Sequence, residues 1–64
     1  MKEYLKRVEV EREELEDKIT KLKFFMLYND NFKELVFDSK VLLVKQLAFM
    51  ESYIDILVQR LEND

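Results

Sequence analysis

The chain has no cysteine, no histidine, no glycine and no proline, and each absence closes off a class of function. Without cysteine there is no disulfide, and without cysteine and histidine together there is no zinc set of the usual kind. Without histidine, no serine or threonine hydroxyl has the commonest general base beside it, and without glycine no backbone loop of the phosphate-cradling type can form. The chain therefore reads as a non-enzymatic protein that needs no cofactor. Long apolar runs are missing too. The longest, Phe24 to Tyr28, falls far short of the roughly 20 residues that span a bilayer, and the start of the chain has no signal-peptide core. These features lead us to expect a cytoplasmic protein without membrane contact.

What is present is charge mixed with apolar residues. Fourteen acids and eleven bases give a net charge of −3, which offers no general attraction for duplex nucleic acid. The distribution is uneven. Residues 1–23 hold seven bases against seven acids, and residues 24–64 hold four against seven, so an anion site is expected on the first part of the chain. A chain of 64 residues hides only about 60% of the surface its unfolded form exposes. With disulfides excluded and a structural metal disfavoured, self-association is the remaining remedy for a marginal core.

The absence of glycine and proline also leaves nothing to break a helix. From Glu3 to Tyr28, apolar residues at 4, 8, 15, 19, 22 and 26 keep the three-or-four spacing of one helical face. Glu11 and Arg12 interrupt this stripe, and a charged break in a helix seam sets register or pairs with surface acids. Lys21 and Lys23 lie in later turns, where cations favour the negative end of the dipole. Asn29-Asp30-Asn31 is the strongest turn signal, and Asn31 with Glu34 fits a capping box for a short turn over 32–37. A second helix is expected over about 38–62. Its positions 43, 47, 50, 54, 57 and 61 alternate by four and three, as in a helix–helix seam. Leu42, Phe49, Tyr53 and Ile56 form a second apolar stripe that one partner helix cannot cover.

The expected fold is all-α: a two-helix antiparallel hairpin in one domain, with a long first helix (about 3–28), a turn at 29–31 and a short-turn entry to the second helix. Copies are expected to assemble into a homo-oligomeric bundle. Among the polar residues, Tyr4 beside Lys6 and Arg7 suits the stacking of a base and the holding of a phosphate; the plainer role for Tyr4 is the first rung of the stripe. Lys18 has an ordinary partner in Glu14, as Lys21 has in Asp17. Arg60 favours the C-terminal dipole end, and the hairpin returns it toward Tyr4 and Arg7.

The order of residues carries a further signal. Glu3-Tyr4, Arg7-Val8, the run from Glu13 to Leu22 with Phe25, and then Phe32, Leu35, Leu42-Leu43, Gln46, Ala48, Met50, Tyr53, Leu57 and Arg60-Leu61 resemble the hairpin domain shared by phage anti-CBASS and anti-Thoeris proteins. These are small helical sponges that sequester cyclic nucleotide signals of bacterial immunity. The resemblance implies a homo-oligomer, a hexamer, that binds cyclic dinucleotides between protomers and, in some members, cyclic trinucleotides in separate pockets. By it Lys18 holds phosphate, Thr20 and Arg60 belong to the second type of pocket, and Tyr4 is the candidate base-stacking aromatic. The chain departs from the family pattern at Val36-Phe37-Asp38, where a proline or serine usually precedes the second helix.

Geometry then limits how such a site is built. Tyr4 and Lys18 are roughly 21 Å apart along one helix, and their directions differ by about 40°. One cyclic dinucleotide cannot span that distance, so the two residues must come from different protomers whose first helices run antiparallel. Two other classes fit the bare pattern: an RNA-binding hairpin similar to the repressor of primer, and a structural coiled-coil adaptor.

Overall fold

A computed structural model of the chain describes residues 2–63, and all its regular elements are helices: α1 (Glu3–Tyr28), α2 (Asp30–Glu34) and α3 (Phe37–Asn63). The molecule is a rod of 46 × 16 × 13 Å. Helix α3 returns along α1, and the short α2 fills the elbow between them.

The seam is narrow. Val8, Leu15 and Ile19 of α1 are buried together with Leu57 of α3, while Leu47, Met50, Ile54 and Leu61 pack against them from α3. Leu57 alone among the described residues has no exposed surface, at 0%. The stripe on α1 begins at Leu5, which is 8% exposed, whereas Tyr4 is 43% exposed. This corrects the first-rung role for Tyr4. Counted from Leu5, the face runs 5, 8, 12, 15, 19, 22, 26, alternating strictly by three and four. That alternation matches the seam positions of α3.

Arg12 occupies the rung between Val8 and Leu15. Its guanidinium lies against Glu9, with Glu16 at 2.7 Å and Glu13 at 3.9 Å. Its side chain is 25% exposed, as for a long cation that lays its stem along apolar surface and keeps its head paired with acids at the edge. These acids, Glu9 foremost through its hydrogen bond, push the already high guanidinium pKa further up.

The elbow is built without glycine or any positive φ among the described residues. Asn29 ends α1 in an extended conformation (φ −91°, ψ 125°), and its backbone N–H donates to the Phe25 carbonyl at 3.1 Å. The same residue caps α2, its Oδ1 accepting from the Asn31 backbone N–H at 2.8 Å. The capping residue is therefore Asn29, not Asn31. The short helix accordingly starts at Asp30 and ends at Glu34, and α3 begins at Phe37. Asn29 prevails because one side chain serves the end of one helix and the start of the next. Phe32 plugs the elbow between the Phe25 ring, edge-on at 5.9 Å, and the Lys40 ammonium, 5.6 Å from its centroid. The last turn of α1 carries no base. Lys21 pairs with Asp17 at 2.9 Å and Lys23 reaches Glu51 of α3 at 3.3 Å, so local carboxylates, not the helix dipole, hold these cations.

Leu42, Phe49, Tyr53 and Ile56 are exposed, Phe49 at 75%. Phe24 and Tyr28 also face outward, with their rings 5.3 Å apart. Among the described residues, no helix is long and apolar enough to cross a membrane.

Candidate ligand-binding flank

Two contacts between α1 and α3 define the sides of the rod. On one side the Tyr53 hydroxyl donates to Glu11 Oε2; on the other lies the Lys23–Glu51 ion pair. Helix periodicity then places the remaining residues. On α1, Tyr4, Glu11 and Lys18 follow one another at intervals of seven, about 20° apart in direction per step, and Arg7 lies beside them. All four belong to the Tyr53 side. On α3, Tyr53 and Arg60 are also seven apart, in line with Leu42, Phe49 and Ile56, so the second apolar stripe ends in Arg60. One flank thus gathers Tyr4, Arg7 and Lys18 from α1 with the apolar stripe and Arg60 from α3.

Thr20 does not join them. It is nine residues from Glu11, about half a turn round α1, and therefore on the opposite side. There it lines a shallow concavity of about 380 Å³ with Glu13, Glu16 and Asp17. Three carboxylates make that concavity unfit for an anion within a single copy. A site that uses both Thr20 and Arg60 has to take them from different copies of the chain.

Among the described residues the cations of the flank hold no carboxylate, a state they share with Lys2, Lys6, Lys40 and Lys45 and that sets them apart from four others. Arg12, Lys21, Lys23 and Lys33 all hold carboxylates within 4.0 Å. Among the described residues, Arg7, Lys18 and Arg60 have no such ion pair, and all three are exposed. The local pair expected between Glu14 and Lys18 does not form, although its counterpart between Asp17 and Lys21 does. Lys18 is therefore available to an external anion without first giving up a partner.

Sequence reasoning did not find the role of Glu11 and Tyr53. Tyr53 sits in the apolar stripe, and Glu11 looks like a simple interruption of a seam. Their hydrogen bond, together with burial, holds the phenol pKa above its ordinary value of 10.0, while Arg60 acts in the opposite direction. The available signal was the heptad step, since Glu11 lies midway between Tyr4 and Lys18. A second concavity, of about 320 Å³, lies at the end of α1 between Lys21, Phe24, Phe25, Tyr28 and Asn29. Among the described residues, no group of histidine, cysteine, aspartate or glutamate is placed to hold a metal ion.

Compared with known families, the chain matches the model described as Sequestin over residues 2–63. No curated protein and no solved structure gives a match.

Proposed function

The chain belongs to the Sequestin family, and from that premise we propose that it is a non-enzymatic sponge that sequesters cyclic nucleotide immune signals. The observation that carries the reading is the family match over nearly the whole chain, under a name that denotes sequestration. In this reading the protein is phage-encoded and acts in the host cytoplasm. It blocks a CBASS-type or Thoeris-type defence by lowering the free concentration of the signal. Such a role needs affinity and no chemistry.

Copies of the hairpin, six in the full assembly, cover one another's apolar stripes. Where two α1 helices run antiparallel, Tyr4 of one copy lies over Lys18 of the next. A cyclic dinucleotide presents phosphates and bases, and each Tyr4–Lys18 couple offers an ammonium for a phosphate and a ring for a base; two-fold pairing makes two such couples. Arg7 adds positive charge at the Tyr4 end. Thr20 of one copy and Arg60 of another form the second kind of pocket, for a cyclic trinucleotide. The exposure of all five residues and the unpaired state of Lys18, Arg7 and Arg60 support this arrangement.

Calorimetric titration with cyclic diguanylate, cyclic guanylate–adenylate, cyclic triadenylate and a short RNA hairpin tests the reading. Binding of a cyclic nucleotide is expected, and absence of heat with all three sinks the proposal. For the dinucleotide, Lys18→Ala is expected to weaken binding by about 1.5–3 kcal/mol, the size of a lost charge-assisted hydrogen bond. Unchanged affinity in that variant removes Lys18 from the site.

A further inference from the structure

Glu11 stands where an anion site should not have an acid. It is seven residues from both Tyr4 and Lys18, so roughly 10 Å from each along α1 and on nearly the same face. In the antiparallel pairing that sets Tyr4 of one copy over Lys18 of the next, residue 11 falls at the two-fold axis, opposite residue 11 of the other copy. The two carboxylates then stand midway between the two Tyr4–Lys18 couples, roughly 10 Å from the anion held at each. At such separations an untethered carboxylate weakens anion binding by roughly 3- to 10-fold.

The side chain is not untethered. The Tyr53 hydroxyl reaches across the hairpin and donates a hydrogen bond to Glu11 Oε2. This draws the carboxylate toward α3 and commits one of its oxygens to a donor within the same copy. Arg60, on the Tyr53 face, adds a cation beside the clasp; its field acts on the phenol. Tyr53 is exposed and lies outside the buried seam, so the contact sits on the flank and not in the core.

We propose that Tyr53 is a positioning residue of the ligand-binding flank: by clasping Glu11 against α3 it keeps that carboxylate away from the anion held by Tyr4 and Lys18. The inference rests on the reading of this flank as a cyclic dinucleotide site. It makes Glu11 a tuning element, harmful to binding when released and tolerated when held. It also predicts a direction that simple packing does not, namely that removing the acid repairs the loss of the phenol.

The test is a double-mutant cycle read by calorimetry with cyclic diguanylate or cyclic guanylate–adenylate, whichever the wild type binds. Tyr53→Phe, which keeps the ring, should bind about 3- to 10-fold more weakly. Glu11→Gln should bind at least as tightly as wild type, and the double variant should return to the Glu11→Gln level. Wild-type affinity in Tyr53→Phe, or a double variant as weak as Tyr53→Phe, overturns the inference while leaving the sponge reading standing. A wild type that binds neither dinucleotide overturns both. A ligand-free measurement guards against misfolding of the phenylalanine variant: the NMR titration of the Tyr53 phenol should move down in Glu11→Gln, and an unmoved titration shows that the clasp does not exist.

Discussion

At the scale of single residues, the same side-chain type does different work according to what faces it. Lys21 and Lys18 are three residues apart on one helix, yet Lys21 is tied to Asp17 and Lys18 has no carboxylate within reach among the described residues. The i, i+4 rule cannot separate them, because each has an acid at the right distance in sequence. Tyr4 and Leu5 show a case that the sequence does decide. Strict alternation by three and four selects Leu5 as the first rung and leaves Tyr4 to solvent, whereas loose spacing admits either. The Glu11–Tyr53 clasp was not legible, since its partners are 42 residues apart and meet only in one register of the hairpin. It has a consequence for pH. The folded state holds the Tyr53 proton more tightly than an ordinary phenol, chiefly through the bond to Glu11. The resulting stabilisation is complete below the unfolded phenol value of about 10 and is lost as pH rises through the higher folded value. Thermal melts from pH 8 to pH 11 should therefore show a steeper alkaline loss in wild type than in Glu11→Gln; equal slopes would argue against the bond. Arg12 gives a second prediction. Its ion pairs are screened by solvent and constrain flexible side chains, while a leucine at this rung would bury apolar area in the seam. Arg12→Leu is expected to leave stability unchanged or raise it by about 1 kcal/mol, measured by denaturant unfolding. A clear loss would mean that the charged rung sets the register.

At the scale of elements, the two long helices were readable because nothing in either contradicts its periodicity. The elbow was only half readable. The cluster Asn29-Asp30-Asn31 marks a reversal, but three adjacent residues of similar capping chemistry leave its register open, and the side-chain bond from Asn29 settles it. The extended backbone of Asn29 matters here. A helix usually ends on a left-handed residue that glycine suits, yet this helix ends on a residue that glycine would only loosen. Asn29→Ala is expected to cost about 1 kcal/mol through the lost cap, and Asn29→Gly should also destabilise, with no gain from a freer φ. Urea unfolding of the two variants checks this, and a stabilised glycine variant would contradict the described elbow. Helix α3 has a wider apolar arc than α1 can cover, and this too was visible in the sequence as two stripes.

At the scale of the whole molecule, the hairpin is a poor candidate for independent stability. Among the described residues, five buried apolar side chains form its core, and only Leu57 is wholly enclosed. Phe49, Leu42 and Ile56 stand in water on the flank that also carries Lys18 and Arg60. The proposed assembly resolves both difficulties at once, because the surface that hides the apolar stripe is the surface that brings Tyr4 of one copy to Lys18 of another. Assembly and ligand binding should then be lost together. Phe49→Glu places a charge in the middle of the stripe without touching Tyr4, Lys18 or the seam of the single hairpin. Light scattering should show wild type well above the 7.9 kDa of one chain and the variant at or near that mass. Calorimetry on the same samples should show dinucleotide binding reduced by at least 100-fold, roughly the 3 kcal/mol or more that a buried charge without a partner costs an interface. A variant that is monomeric yet binds as wild type would place the site within one hairpin and end the intersubunit arrangement. Wild type that stays at the mass of one chain under binding conditions would end it sooner. The melting temperature supplies an independent reading, since for a hairpin held together by its copies it must rise with protein concentration, and for Phe49→Glu it must not.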